Sequence, residues 1–554
     1  MNHALILPIL IPLFAAGAIV ALPLRAKRLQ RAINVIATLA LLPIAVTLAE
    51  FASQGQVASY ALGAWPAPFG IVLQIDRLGA LMLVLTALLA CCCLLGTTSA
   101  DVRRGRYYRA LVQFELMGLN GAFLAGDLFN LFVFFELLLI ASYALLLHGG
   151  GRRRVRNGLH YMLLNLVGSS FFLIALGVLY GLTGTLNMAD AGERLAHLDP
   201  ASLPLAQFAG ATLMLVFGLK AAVFPMSFWL PQAYRSAIGP VAALFAIMTK
   251  VGIYAMLRCD ALVFGAAGGV LDAFLHQWAW WLAIATIVYG ALGALAVSSL
   301  KTTTGFLVLV SVGLLIAAVT LQTVLAWSAL LYYLISTTLC TGALFMLADT
   351  LESEPGEPAT VAAAAETREP ASLESLDDAS APAITPEADS EPIATAPKAT
   401  APEKAPKPWP SNLAGVLYLA AAVGAVGLPP LSGFLGKAMV LAATPLAQAV
   451  VLWPAVLVAG LLSIVALSRT GTRLLWAIPA ARAYDGAPAT APRGSRAKLA
   501  ACALLLAGVV AATVFAGPLK QYLDAAAAQL LDRTAYVHAI LPAQAAQTSQ
   551  GAGS

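Results

Sequence analysis

The stretch Gly218-Leu219-Lys220-Ala221-Ala222-Val223-Phe224-Pro225, followed by Pro231, sets a lysine inside an apolar run with two prolines just beyond it. Three more charges have similarly apolar surroundings: Glu136 in Phe132-Val133-Phe134-Phe135-Glu136-Leu137-Leu138, Lys250 in Ile247-Met248-Thr249-Lys250-Val251-Gly252, and Lys437 in Gly433-Phe434-Leu435-Gly436-Lys437. A charge at the centre of a bilayer costs about 2.5 to 3.5 kcal/mol even on insertion scales, so it is rarely kept without a task. One carboxylate and three amines so placed point to a path for protons or ions.

Of the 554 residues, 60% are hydrophobic and 11% charged, against about 25% charged in soluble domains. A crossing helix needs about 20 mostly apolar residues. Fourteen such segments follow one another, at 4–23, 32–50, 77–97, 107–126, 128–147, 159–183, 206–230, 240–264, 278–299, 303–325, 326–349, 412–445, 450–476 and 498–517. The expected fold is an all-α polytopic membrane protein of about 14 transmembrane helices. The first segment has no basic stretch before it and no small-residue cleavage pattern after it, so it reads as a helix and not as a signal peptide. Cys91, Cys92 and Cys93 lie in an apolar helix and Cys259, Cys340 and Cys502 are scattered. None has the paired spacing of a zinc or iron-sulfur site, so no metal or cofactor is expected.

Basic residues cluster after odd-numbered segments: Arg25, Lys27, Arg28 and Arg31; Arg103, Arg104, Arg106 and Arg109; Arg152, Arg153, Arg154 and Arg156; Arg235; Lys301; then Arg469, Arg473, Arg482, Arg493, Arg496 and Lys498. The loops after even segments carry few, such as Arg194, Arg258 and Lys520. By the positive-inside rule the basic loops are cytoplasmic and both termini face outward. Residues 351–410, rich in Ala, Pro, Glu, Asp, Ser and Thr, are too polar to offset chain entropy by burial and read as a disordered acidic insert on the cytoplasmic side.

Pro225 and Pro231 should break the seventh helix past Lys220, because proline removes a backbone hydrogen bond and clashes with the preceding turn. The twelfth segment carries the same device in Gly427-Leu428-Pro429-Pro430-Leu431-Ser432-Gly433, shortly before Lys437. Two breaks five helices apart suggest a repeat, and a five-helix unit must be inverted in its second copy, as in many transporters. The expected organisation is residues 1–106 as helices 1–3, 107–264 as a first repeat of helices 4–8, and 278–349 with 412–476 as a second repeat of helices 9–13. Residues 498–517 form helix 14 and 518–554 a tail.

These motifs resemble the antiporter-like subunits shared by Mrp-type monovalent cation/proton antiporters and respiratory complex I. Asp127 to Glu136, Gly218 to Pro225 with Phe228-Trp229-Leu230-Pro231, Lys250 to Tyr254, and Leu431 to Lys437 are similar to the D-type Mrp component in particular. The resemblance implies that Glu136 pairs with Lys220, that Lys250 is a central lysine, and that Lys437 ends the route. It implies one component of a secondary antiporter, not an enzyme, in a bacterial inner membrane. Its partners would be other complex subunits, protons, Na+ or K+, and lipid, with no nucleic acid. The alternative is a proton-pumping subunit of a redox complex such as complex I or a membrane-bound hydrogenase. The chain departs from the family in helices ten and eleven, where members often carry histidine or lysine. Ser311, Ser336, Thr337, Thr338 and Thr341 stand there instead. Among other polar residues, Glu115 is expected either in a proton route or bonded to Asn120, Asp127 and Asn130 at a helix cap, and His148 and His160 toward headgroups or water.

Overall fold

A chain passing through hydrocarbon must satisfy its backbone N–H and C=O groups internally, and α-helices do so. The computed structural model describes residues 2–23, 25–65, 70–265, 270–352, 412–476, 495–532 and 536–537. Its helices in chain order begin with α1 (Leu7–Ala21), α2 (Lys27–Ser53), α3 (Arg77–Gly96), α4 (Ser99–Arg103), α5 (Tyr108–Leu124), α6 (Leu128–Leu147) and α7 (Arg152–Thr183). Then follow α8 (Met188–Ala196), α9 (Leu203–Ala221), α10 (Trp229–Ser236), α11 (Gly239–Phe245), α12 (Met248–Cys259), α13 (Val270–Ala296), α14 (Leu300–Val319) and α15 (Val324–Leu351). The last are α16 (Asn412–Val426), α17 (Ser432–Ala442), α18 (Leu446–Gly471), α19 (Ser495–Val514) and α20 (Ala516–Leu531). A short antiparallel ribbon, β1 (Ala58–Ala61) on β2 (Val72–Ile75), pairs Ala58 with Ile75 and was not expected. The acidic insert beyond Glu352 lies outside the described residues.

Twelve helical stretches among the described residues are long and apolar enough to cross a membrane. The expected fourth segment is the 17-residue α5, and the expected twelfth is divided into α16 and α17. Three stretches make the interior: the apolar window of Gly239–Phe264 is wholly buried, and those of Leu300–Val319 and Val324–Leu351 are 94% buried. Helices apolar all round belong in such a core. The outer helices turn Phe14, Ile36, Val450 and Leu457 outward, the faces a bilayer would cover.

Both expected breaks are present, with different local causes. At the first, α9 ends where Ala222 takes φ 62°. Its N–H donates to Leu219 O at 3.1 Å, and Val223 N–H to Gly218 O at 2.8 Å. This Schellman closure normally uses glycine, and a side chain in it costs about 1 kcal/mol. Pro225 occupies the turn, whereas Pro231 lies in the first turn of α10, where a missing N–H is tolerated. Pro231 thus opens the second half-helix instead of breaking the first. At the second break, Gly427 takes φ 80° after α16, and Pro429 and Pro430 fill the turn. Gly433 is already inside α17; a Cβ there would collide with Gly424 O, so it lets the two halves cross closely.

Two helix hairpins match in spacing. In α5 and α6, Gly118 abuts Leu138 and Gly121 abuts Phe134. In α13 and α14, Gly290 abuts Val310 and Gly293 abuts Phe306. The separations are 20 and 13 residues in both hairpins.

The basic loops meet at one end of the bundle. Arg154 donates to Ser236 O at 2.9 Å, Arg469 to Leu295 O and Val297 O at 2.6 Å, and Lys301 to Ala237 O at 3.4 Å. Here Asp349 accepts from Lys301 at 2.6 Å and from Lys498 at 2.5 Å, and Lys498 also lies 3.3 Å from Asp101. At the opposite end Asp76 caps α3 through Gly79 N–H at 2.8 Å and receives the Arg258 guanidinium on both carboxylate oxygens. Arg258 is therefore not a loop residue, contrary to the expectation from the sequence. It lies inside a fully buried helical stretch, bonded also to Tyr254 OH at 3.0 Å. The tail after helix 14 begins as α20, held by Arg77 N–H on Gln529 Oε1 at 3.1 Å and Tyr522 OH on Arg77 O at 3.0 Å.

Breaking one side of a buried pair strands the other charge, at about 3–5 kcal/mol. Arg258→Met should therefore lose most of the monodisperse protein recovered in detergent on size-exclusion chromatography. D76N/R258M, which removes both charges, should recover a substantial part.

Candidate functional site

Glu136 is presented by α6, whose start is fixed by Asp127 accepting from Asn130 N–H at 2.6 Å. Asp127 also accepts from Val72 N–H at 3.4 Å, and burial pushes its carboxyl up to about 6. Asp127 is thus a helix cap tied to β2. Asn130 is buried, and its Nδ2 has no hydrogen-bond partner among the described residues.

Lys220 lies in the last turn of α9, and its Nζ is 3.9 Å from Glu136 Oε1. The pair is unequal in exposure: the Lys220 side chain is 3% exposed and that of Glu136 28%. Below the ammonium is an aromatic floor of Phe135, Phe172 and Phe217, with Nζ 5.7 Å from the Phe135 centroid. Lys220 Nζ has no hydrogen-bond partner among the described residues. The expected Glu136–Lys220 meeting is therefore present, at ion-pair range and beyond hydrogen-bond range. A third member was missed: Ser169 of α7 donates to the same Glu136 Oε1.

Lys250 is buried in α12 and donates to Thr249 Oγ1 at 3.3 Å and Ser311 Oγ at 3.4 Å. Two residues on, Gly252 lets α12 approach α9; a Cβ there would be 2.8 Å from Phe217 O and Ala221 N. Lys437, on α17, reaches back across the second break to donate to Val426 O. Val426 is the last residue of α16, so the ammonium sits at the negative end of a half-helix. It does not snorkel outward but is buried. Ser336 of α15 and Ser432 at the start of α17 share a 2.8 Å hydrogen bond. Thr341 instead donates to Thr337 O in its own helix, at 2.7 Å. Among the described residues no ion pair or hydrogen bond joins one of the three lysines to the next.

Glu115 is buried on α5 with both carboxylate oxygens lacking a hydrogen-bond partner among the described residues. Asn120, its expected alternative partner, donates to Pro8 O at 2.8 Å. His148 does not face headgroups: it is buried against Tyr108 at 4.9 Å, with Nε2 2.8 Å from Asp101 O. Burial holds its imidazole below the usual range. His160 is exposed, as expected, with Nδ1 2.9 Å from Arg156 O. Among the described residues no group of three His, Cys, Asp or Glu is placed to hold a metal ion.

The family model described as NADH:quinone oxidoreductase/Mrp antiporter, TM, matches residues 125–366. The D-type component of a probable K+/H+ antiporter of Rhizobium meliloti (strain 1021) is 38% identical over 98% of both chains. The D-type component of a Na+/H+ antiporter of Bacillus subtilis (strain 168) is 36% identical over 79% of this chain and 80% of its own. A chain in the Mrp complex from Dietzia sp. DQ12-45-1b superposes with a TM-score of 0.78 at 25% identity, over 98% of this chain and 100% of that one. A chain of respiratory complex I from Thermus thermophilus shares the fold, with a TM-score of 0.68 at 22% identity over 95% and 99% of the two chains. Similarity along nearly the whole length and the shared fold agree, and the chain belongs to the family of D-type components of Mrp-type cation/proton antiporters.

Proposed function

We propose that this chain is the proton-translocating subunit of a multisubunit antiporter, passing protons along Lys220, Lys250 and Lys437 under control of the Glu136–Lys220 pair. The observation that carries the reading is that pair: a buried ammonium without a hydrogen-bond partner among the described residues, 3.9 Å from one carboxylate oxygen. A carboxylate beside a buried lysine favours its charged form. Neutralising or withdrawing Glu136 removes that support and frees the proton to move on.

Ser311, in contact with Lys250, and the Ser336–Ser432 pair, one turn before Lys437, supply hydroxyls between the lysines where family members carry titratable side chains. Hydroxyls both donate and accept, so they relay protons through bridging water without holding charge. The matched hairpins α5–α6 and α13–α14 support two inverted five-helix repeats, helices 4–8 and 9–13, with a break in each. Under this reading the basic-loop end is cytoplasmic and both termini face outward in a bacterial inner membrane. Protons exchange for Na+ or K+, the cations named for the Bacillus and Rhizobium relatives, with a partner subunit contributing to the cation route.

In everted vesicles holding the assembled complex, Glu136→Ala or Lys220→Ala should reduce cation-dependent proton transport to the background of vesicles lacking the protein. Assembly on native gels should persist. Full transport by a correctly inserted Glu136 variant would overturn the reading. Ser311→Val should slow transport about tenfold, the kinetic equivalent of one lost hydrogen bond of about 1.4 kcal/mol. Deletion of the gene should cause sodium, potassium or alkali sensitivity while NADH oxidation by membranes is unchanged.

A further inference from the structure

Ser169 was invisible as a functional residue in the sequence, yet its hydroxyl has two competing acceptors. It lies within hydrogen-bond range of Glu136 Oε1 and also of Asn165 O, at 2.9 Å, one turn back in α7. A serine carries one O–H and serves one acceptor at a time. An ionised carboxylate is the stronger acceptor, since charge-assisted bonds are roughly twice as strong as neutral ones. A protonated carboxyl reverses the arrangement: its own O–H donates to Ser169 Oγ, and the hydroxyl turns to the Asn165 carbonyl.

The hydroxyl engages the same oxygen, Oε1, that faces Lys220 at 3.9 Å. Ser169 therefore satisfies that oxygen while the ammonium stands outside hydrogen-bond range. Next to Ser169, Gly168 leaves room for Leu219, the neighbour of Lys220: a Cβ there would meet Leu219 Cδ2. The same helix reaches the far end of the broken pair: Arg154 and Asn157 bond Ser236 and Gln232 at the end of α10. Around Glu136, α9 contributes Lys220, α6 itself contributes Tyr143, and α7 contributes the Ser169 hydroxyl.

We propose that Ser169 is a positioning residue for the Glu136–Lys220 pair, holding the ionised carboxylate short of a direct bond to Lys220 and turning to Asn165 O when Glu136 takes a proton. This rests on the proton-path reading of that pair. Ser169 keeps the ion pair separable: without its hydroxyl, Glu136 Oε1 is left to the Lys220 ammonium alone and the pair closes to a direct bond that must be broken in each turnover.

The test is cation-dependent proton transport against cation concentration in everted vesicles carrying the assembled complex, for wild type, S169A, S169T and E136Q. Assembly is checked on native gels. S169A should assemble normally and lower the maximal rate about tenfold with the KM for the cation unchanged, the loss expected when one further bond must be broken in turnover. S169T, which keeps the hydroxyl, should restore the rate. A maximal rate unchanged in S169A, or lost equally in S169T, with E136Q inactive, overturns the role of Ser169 and leaves the proton path standing. Full transport by E136Q overturns the underlying reading of Glu136 whatever S169A does.

Discussion

Removing a charge from water is the dominant penalty inside this bundle, and the structure answers it in two unlike ways. Asp76 and Arg258 meet through two bonds with Tyr254 alongside, and Asp349 gathers Lys301 and Lys498. In these groups charge is matched and most hydrogen-bonding capacity is used, which is what makes a buried ion pair tolerable. Lys220, Lys250 and Lys437 are treated differently. One has a single distant carboxylate, one has two hydroxyls at long range, and one has a backbone carbonyl. The well-matched groups lie toward the two ends of the bundle and fasten helices. The three lysines hold fewer contacts, so less is broken when one of them moves.

Much of this architecture was legible because hydropathy reports burial in a membrane directly. The segments, the basic-loop bias and the two breaks all rest on strong single-residue effects: apolar runs, arginines, prolines. Finer causes were hidden. Nothing marks Ala222 as a left-handed residue, since alanine normally continues a helix, and the stop there comes from how α9 is closed and packed. Arg258 read as a loop residue because a guanidinium in a core is rare, and its partner Asp76 lies 182 residues away. Glu136 and Lys220 stood out by charge against an apolar background. Ser169 did not, because serine is common in membrane helices and its value depends on which acceptor lies across the interface.

The two breaks share a polarity that their sequences do not announce. In each, a lysine lies at the C-terminal end of the first half-helix: Lys220 in the last turn of α9, and Lys437 reaching Val426 O at the end of α16. A helix C-terminus carries about half a negative charge, so each break supplies fixed partial charge without a titrating carboxylate. At the first break Glu136 adds a second, titratable anion, whereas at the second the backbone carbonyl is the bonded partner.

The glycine spacing shared by the two hairpins allows them to be compared position by position. Superimposing the hairpins by that spacing puts Ser299, which precedes α14, over Asp127, which caps α6, and puts the fully buried Val308 over Glu136. One hairpin thus carries an acid at its crossing and the other hydrocarbon, so that of two crossings packed alike only one can change its charge.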